Sequence, residues 1–177
     1  RKKLLFLARD RAGKKPLYYF WNKKKFIFAS EIKAILEDKE IKRSVNSRAL
    51  ESFLTFRANT TEETFFSGIK KLMPGHFMLF NLKDNKLEIK KYWDIQYNNT
   101  ISDFNSAEKE LRKLLEDAVK SRLVSDVPYG AYLSGGVDSG TIVALMSKYV
   151  SSPIKTFSVG FNDEKYSELQ EARFLAE

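Results

Sequence analysis

The sequence contains no cysteine, which excludes disulfide bridges, thiolate metal sites and a thiol nucleophile within these 177 residues. Histidine occurs once, at His76, so neither a histidine-rich metal cluster nor a histidine-based triad can be built from this chain alone. Hydrophobic runs are short: none approaches the roughly 18 residues of a membrane span, and the N-terminus lacks a signal-peptide core. We therefore expect a cytoplasmic protein with no membrane partner.

What the chain does contain is enough apolar material for a packed core. Hydrophobic residues make up 43% of the sequence and aromatic residues 14%. The formal net charge is +8 at pH 7, but the lysines are scattered along the chain, and their short runs lie at predicted turns or strand ends. A solvated basic surface accounts for this charge better than a nucleic-acid footprint does. We expect no nucleic-acid partner.

The first half of the chain, residues 1–95, has the pattern of mostly antiparallel β structure with two inserted helices. Three short aromatic and aliphatic runs, separated by turn residues, predict a meander of strands at residues 4–8, 17–21 and 26–29. Helical spacing follows from Ser30, which we predict to cap a first helix, and again from Asn46, the predicted cap of a second. A further hairpin is predicted around Asp84 and Asn85. This half is predicted to be an α+β domain.

The pattern changes after a polar stretch at residues 96–105, which we predict to be a linker. Beyond it, residues 106–177 alternate between helical and strand-like segments. Asn105 and Glu108 match a capping box at the start of the first helix. Two short apolar runs on either side of a helix predict parallel strands, the beginning of a doubly wound α/β domain, which binds ligands at the carboxyl ends of its strands.

The loop SGGVDS at residues 134–139 lies between a predicted strand and a predicted helix, where such a sheet holds phosphate. Two glycines let backbone amides approach an anion closely, and the start of the following helix attracts negative charge. Ser134 and Ser139 add hydroxyl donors, and Asp138 can hold a divalent cation against phosphate oxygens. No lysine follows the glycines, so this is not a Walker loop, and the spacing of a dinucleotide fingerprint is absent as well.

This loop resembles the pyrophosphate loop of ATP pyrophosphatases, which cleave ATP between its α and β phosphates. Further motifs, in their order along the whole chain, resemble the glutamine-hydrolysing asparagine synthetases. They are ARDRAGKKPLYY at 8–19, ASEIKA at 29–34, PGH at 74–76, LVSDVPYG at 123–130, FSVGF at 157–161 and ELQEA at 168–172. The resemblance makes residues 1–95 the later part of a class II glutamine amidotransferase domain and residues 106–177 the first part of a synthetase domain.

The resemblance implies a ligase of asparagine biosynthesis whose substrates are glutamine, aspartate and ATP. Aspartate would be adenylated with release of pyrophosphate, and ammonia from glutamine would then displace AMP. The implied ATP-binding residues are Leu133, Ser134, Gly135, Gly136, Val137, Asp138, Ser139 and Val159. Asp138 would also hold Mg²⁺ through the pyrophosphate. A homodimer is an assembly that we leave open.

Two departures from the family pattern limit what the chain does alone. Gly140 stands where the family usually has Ser or Thr, which removes a hydroxyl and costs roughly 0.5–1 kcal/mol in helix propensity. The family's N-terminal cysteine nucleophile and glutamine-binding residues fall before this segment, so no catalytic residue is identified here. The chain starts without Met and stops inside a helical pattern. We therefore expect an internal segment of a longer protein, inactive by itself.

Alternatives remain open at this point. The parent protein could amidate another carboxylate or close a lactam ring, since the loop would adenylate the substrate in every case. It could be a tRNA-modifying ATP pyrophosphatase, for which the basic charge would be an RNA footprint. A degenerate ATP-binding module is the non-enzymatic alternative, although Asp138 and both loop serines are intact.

Overall fold

The computed structural model describes residues 3–98, 100–163, 165 and 167–177. The chain divides into two compact units, Arg1–Tyr97 and Asn98–Glu177. The described helices and strands of the first unit are β1 (Leu4–Ala8), β2 (Tyr18–Trp21), β3 (Phe26–Ala29), α1 (Ile32–Ile35), α2 (Ser47–Phe56), β4 (Ile69–Lys71), β5 (His76–Asn81) and β6 (Lys86–Lys91). Those of the second are α3 (Phe104–Lys120), β7 (Gly130–Tyr132), α4 (Val137–Ser147), β8 (Lys155–Phe157) and α5 (Leu169–Ala176).

The strands of the first unit form two antiparallel sheets, with the orders β1-β5-β6 and β3-β2-β4. The predicted meander is therefore wrong: β2 and β3 pair as a hairpin, but β1 belongs to the other sheet, where Leu4 lies opposite Asn81. The predicted hairpin of β5 and β6 is confirmed, and Asn85 in its turn has a left-handed backbone with φ 54°. Strand spacing along the sequence is a local property, whereas the partner of β1 is set by contacts 69 to 77 residues away.

The connection from β1 to β2 has its own hydrogen bonds, which explains why these strands do not form a hairpin. The Arg9 guanidinium donates to three backbone carbonyls, among them that of Leu72 at 2.7 Å. The Asp10 carboxylate accepts from the amides of Lys14 and Lys15 at 2.9 and 3.0 Å. Because these bonds satisfy backbone groups that would otherwise seek strand partners, the loop carries the chain from one sheet to the other.

The core of the first unit lies between its sheets and helices. Aromatic rings join the two sheets: Phe26 of β3 stacks on Phe80 of β5 with centroids 4.5 Å apart, and Trp21 meets Phe80 edge to face at 5.2 Å. Met78 and Ile35 are fully buried in two neighbouring clusters. Burial of such side chains stabilises the unit by about 1.5–3 kcal/mol each.

Two helix starts in the first unit differ from the predicted caps. Helix α1 begins after Glu31, not Ser30, and that Glu makes no capping hydrogen bond; its carboxylate pairs with Lys33 at 2.7 Å. Asn46 is the N-cap residue of α2 as predicted, but its side chain donates to Glu63 Oε2 at 2.7 Å and does not accept from the helix. A competing carboxylate partner outweighs the local cap here.

The second unit places two short parallel strands beside helices. Strands β7 and β8 pair in parallel, with Ala131 opposite Thr156, and this confirms the predicted α/β arrangement. Val119 of α3 and Leu145 and Met146 of α4 form its buried core. Helix α3 begins within the predicted linker and is capped by Asp103, which accepts from Ser106 N at 2.9 Å.

The predicted capping box of α3 is wrong. Asp103 lies two residues before Asn105 and is an equally strong cap, so the helix starts earlier. Glu108 instead pairs with Arg112 one turn along α3, at 3.3 Å. In the described part of the chain, none of the helices has the length and apolarity needed to cross a membrane.

Candidate functional site

The predicted phosphate loop lies where the parallel strands end. Residues 133–136 connect β7 to α4, and the residues after β8 leave the sheet at the same edge, since the strands are parallel. Helix α4 begins at Val137, so the last three residues of the SGGVDS motif are helical. Asp138 and Ser139 therefore lie in the first turn of α4, where the helix dipole favours negative charge.

The two loop serines hold the loop in shape. Their hydroxyl oxygens are 2.9 Å apart and share a hydrogen bond. Ser139 Oγ also accepts from the amide of Ser134 at 3.2 Å and lies 3.1 Å from the carbonyl of Gly136. Ser134 Oγ accepts from the amide of Gly136 at 3.2 Å. The hydroxyls predicted to contact phosphate thus also keep the loop amides in place.

A carboxylate already contacts this loop. The amide of Gly135 donates to Glu168 Oε2 at 3.3 Å, from the residue that precedes α5. A Cβ on Gly135 would lie 2.6 Å from the Cβ of Glu171, so glycine is needed for close packing against α5. Sequence reasoning missed this neighbour, because the contact joins residues 33 positions apart. The amide is therefore within reach of a negatively charged oxygen.

Asp138 is exposed in the first turn of α4. Among the described residues there is no group of three or more His, Cys, Asp or Glu side chains that could hold a metal ion. Asp138 offers a single carboxylate at the loop, and Mg²⁺ in proteins is usually bound through one or two carboxylates plus substrate phosphates and water.

A cavity of about 230 Å³ opens beside the loop. Four of the predicted ATP-binding residues line it, namely Leu133, Ser134, Ser139 and Val159. Gly135, Gly136, Val137 and Asp138 lie next to it in the loop and the first turn of α4, outside its lining. The volume is below the roughly 300–1,000 Å³ of typical ligand pockets, so the cavity can hold only part of a nucleotide.

Leu133 and Val159 differ in burial although both line the cavity. Leu133 is 2% exposed, and its amide donates to the carbonyl of Phe157 at 2.9 Å, so it belongs to the core of the second unit. Val159 is 73% exposed. Four lining residues were not predicted: Tyr132, Phe157, Ser158 and Glu168. Ser158 Oγ donates to the carbonyl of Leu133 at 2.7 Å and ties the two strand ends together.

A larger hollow lies in the first unit. It measures about 780 Å³ and runs along the β5–β6 hairpin near Lys23 and Asp84. His76 has a structural role as the first residue of β5, and its Nδ1 lies 2.7 Å from the carbonyl of Pro74. The loop after β7 remains the place where chemistry-bearing groups converge.

Comparison with known proteins divides the chain in the same order. Residues 1–93 match the family model of the glutamine amidotransferase domain, and residues 110–177 match that of asparagine synthase. An α+β unit followed by the start of a parallel α/β unit is the fold expected for this pair. The chain belongs to the glutamine-hydrolysing asparagine synthetase family.

Individual relatives share about a third or more of their aligned residues with this chain. A protein of Methanocaldococcus jannaschii, provisionally named asparagine synthetase [glutamine-hydrolyzing] 2, is 42% identical over 95% of this chain and 33% of its own length. Asparagine synthetase [glutamine-hydrolyzing] 3 of Bacillus subtilis is 38% identical over 94% of the chain and 28% of its own length. Amidase chyE of Penicillium rubens is 33% identical over 92% and 26%, respectively. The chain thus spans a third or less of these relatives.

Proposed function

We propose that this chain is part of an asparagine synthase that hydrolyses glutamine and uses ATP to amidate aspartate. The observation that carries the proposal is the loop between β7 and α4: its Gly135 amide donates to a carboxylate oxygen, and Asp138 lies in the first turn of the helix that follows. This loop lies in the part of the chain that matches the asparagine synthase family. The named relatives support the same reaction for the full-length protein.

The proposed reaction has two steps. A carboxylate oxygen of aspartate attacks the α phosphorus of ATP, the bond from that phosphorus to the bridging oxygen breaks, and pyrophosphate leaves. Ammonia then attacks the acyl carbon of aspartyl-AMP, loses a proton, and AMP leaves with the electron pair of its former bond. Adenylation is needed because a free carboxylate is a poor acyl donor.

The chain's own residues would bind and orient the polyphosphate in the first step. The amides of Gly135 and Gly136 and the hydroxyls of Ser134 and Ser139 would donate to the oxygens that gain charge as pyrophosphate departs. Asp138 would hold Mg²⁺ beside those oxygens, and the ion would neutralise part of their charge. Leu133 and Val159 would contact the nucleotide from the strand ends. Val137, the first residue of α4, would complete the set of residues around the polyphosphate.

We also propose which part of the chain belongs to which domain. Residues 1–95 would be the later part of the glutaminase domain that supplies ammonia, residues 96–105 the linker, and residues 106–177 the first part of the synthetase domain. Neither reaction is expected from these 177 residues alone, because the glutaminase nucleophile and the acceptor site would come from other parts of the full-length protein. We place that protein in the cytoplasm, with no nucleic-acid partner, and we leave a homodimer open as its assembly.

A second candidate is amidation of a different carboxylate. The similarity to Amidase chyE favours this alternative. That protein is 33% identical over most of the chain, and its name is not that of an asparagine synthetase. The matched glutamine amidotransferase domain, by contrast, favours amide formation over tRNA modification. Release of pyrophosphate from the full-length protein should be compared with aspartate and with other carboxylic acids; a stronger response to another acid would favour the second candidate.

The test of the nucleotide site is Asp138→Asn in the full-length protein. Pyrophosphate release should fall at least about 100-fold, since a charged ligand near the developing negative charge is lost. Glutamine hydrolysis should stay close to its original rate. Asp117→Asn is the matched control, because it removes the same charge from an exposed position on α3. Normal amide synthesis by Asp138→Asn would refute the proposed site.

A further inference from the structure

Glu168 lies directly before α5, yet its side chain makes no capping hydrogen bond to that helix. Its Oε2 instead accepts from the amide of Gly135 at 3.3 Å. The same side chain lines the 230 Å³ cavity beside Ser134 and Ser139. A negatively charged oxygen therefore lies at the loop amide that the proposed function assigns to pyrophosphate.

Packing around Glu168 holds it at this place. A Cβ on Gly135 would come within 2.6 Å of the Cβ of Glu171 and 3.6 Å of the Cβ of Glu168, so the loop rests directly on the start of α5. A Cβ on Gly160 would lie 2.3 Å from Leu169 Cδ1, so the start of α5 also packs on the chain that leaves β8. Ala172 is 3% exposed and anchors the helix. The carboxylate is thus placed by contacts on two sides of α5.

We propose that Glu168 is an internal anion that occupies the pyrophosphate position of the loop in the empty site and is displaced when nucleotide binds. This inference rests on the proposed function of the loop. A carboxylate and a phosphate oxygen compete for one N–H donor and repel each other. A divalent cation bound to the phosphates offsets that repulsion, so Glu168 makes the loop select metal-complexed polyphosphate over the metal-free form.

The proposed selection of metal-complexed polyphosphate by Glu168 has a direct consequence for binding. With Glu168 in place, metal-free pyrophosphate meets both a competitor and a like charge at Gly135, whereas the magnesium complex meets a smaller net charge. The carboxylate also keeps the loop amide paired while the site is empty, which avoids an unsatisfied donor. Removal of the charge should therefore raise the affinity for metal-free pyrophosphate and reduce the gain that Mg²⁺ provides.

Isothermal titration of pyrophosphate into the full-length protein, with and without Mg²⁺, tests this inference. E168Q keeps an oxygen that can accept from Gly135 but removes the charge. It should bind metal-free pyrophosphate roughly three- to tenfold more tightly than the wild type does, since the lost repulsion is partly screened at this exposed position. E168A should shift the affinity in the same direction. E171Q is the matched control in the first turn of α5 and should bind like the wild type.

The possible outcomes separate the two proposals. If the wild type binds pyrophosphate and E168Q binds metal-free pyrophosphate no more tightly, the role of Glu168 is refuted while the proposed site stands. If E168Q loses the effect of Mg²⁺ because it binds the complex more weakly, Glu168 is a metal ligand and the inference is again overturned. If neither protein binds pyrophosphate in either condition, the proposed nucleotide site fails and the inference fails with it.

Discussion

Two glycines near the phosphate loop should respond in opposite directions to the addition of one methyl group. At Gly135 an added Cβ would lie 2.6 Å from the Cβ of Glu171, which is part of the α5 framework and cannot rotate away. At Gly140, inside α4, the nearest atom is Leu175 Cδ1 at 3.2 Å, the far end of a flexible and 43% exposed side chain. Gly135→Ala and Gly140→Ala are therefore matched substitutions that differ in what the methyl group meets.

The magnitudes follow from these contacts. Overpacking at Gly135 requires the loop or α5 to shift and should destabilise the second unit by about 1–3 kcal/mol. Ala at Gly140 should stabilise α4 by about 0.5–1 kcal/mol through helix propensity, provided that Leu175 turns aside. The two variants should therefore differ by about 1.5–4 kcal/mol in the free energy of opening α4.

Hydrogen exchange of the α4 amides, residues 137–147, in the full-length protein measures this difference locally and needs no two-state unfolding of several domains. Faster exchange is expected for Gly135→Ala and slower exchange for Gly140→Ala, each relative to the wild type. Equal exchange in the two variants, or slower exchange in Gly135→Ala, would refute the packing of the loop on α5. The same samples titrated with pyrophosphate would show whether the displaced loop also binds more weakly.

Two further predictions concern the acid response of the first unit and the two apolar residues of the cavity. The amides of Lys15 and Lys14 lower the pKa of Asp10, so its contribution to stability is present above the ordinary carboxyl pKa of about 4 and is lost as pH falls through its depressed value. The midpoint temperature of thermal unfolding should therefore fall less steeply between pH 6 and pH 2 in Asp10→Asn than in the wild type. Parallel curves of midpoint against pH for the two proteins would contradict this. Leu133→Ala should cost about 2–5 kcal/mol in unfolding free energy because Leu133 is 2% exposed, whereas the 73% exposed Val159→Ala should change it by less than about 0.5 kcal/mol and weaken nucleotide binding. Thermal unfolding and nucleotide titration check both variants, and equal destabilisation would show that Val159 is a packing residue.

Features that depend on a few neighbouring residues were predictable from the sequence. The bounds of β1 and β3 match their apolar patterns, and the parallel pairing of β7 with β8 follows from strand, helix and strand in succession. The loop at 134–139 was recognisable because its glycines and hydroxyls are consecutive. Such patterns depend only on residues within one helical turn or one strand, so they can be recognised without the tertiary structure.

Cap choice was less predictable, since several residues compete for the same backbone groups. Asp103 caps α3 in place of Asn105, and the side chain of Asn46 bonds to Glu63, 17 residues further along the chain. Both polar residues were suitable caps by type. Which side chain makes the capping hydrogen bond depends on the partners that the fold brings near it.

The phosphate loop shows which features the sequence determines by itself and which features depend on the tertiary structure. Its position between a strand and a helix, its two glycines and its two serines were all evident from consecutive residues. Only the folded chain brings Glu168 to the amide of Gly135 and packs Glu171 against the same glycine, across 33 and 36 positions of sequence. The physical reason is that periodicity and propensity are local, whereas the partner of an amide is decided by whatever the packing of other elements places beside it.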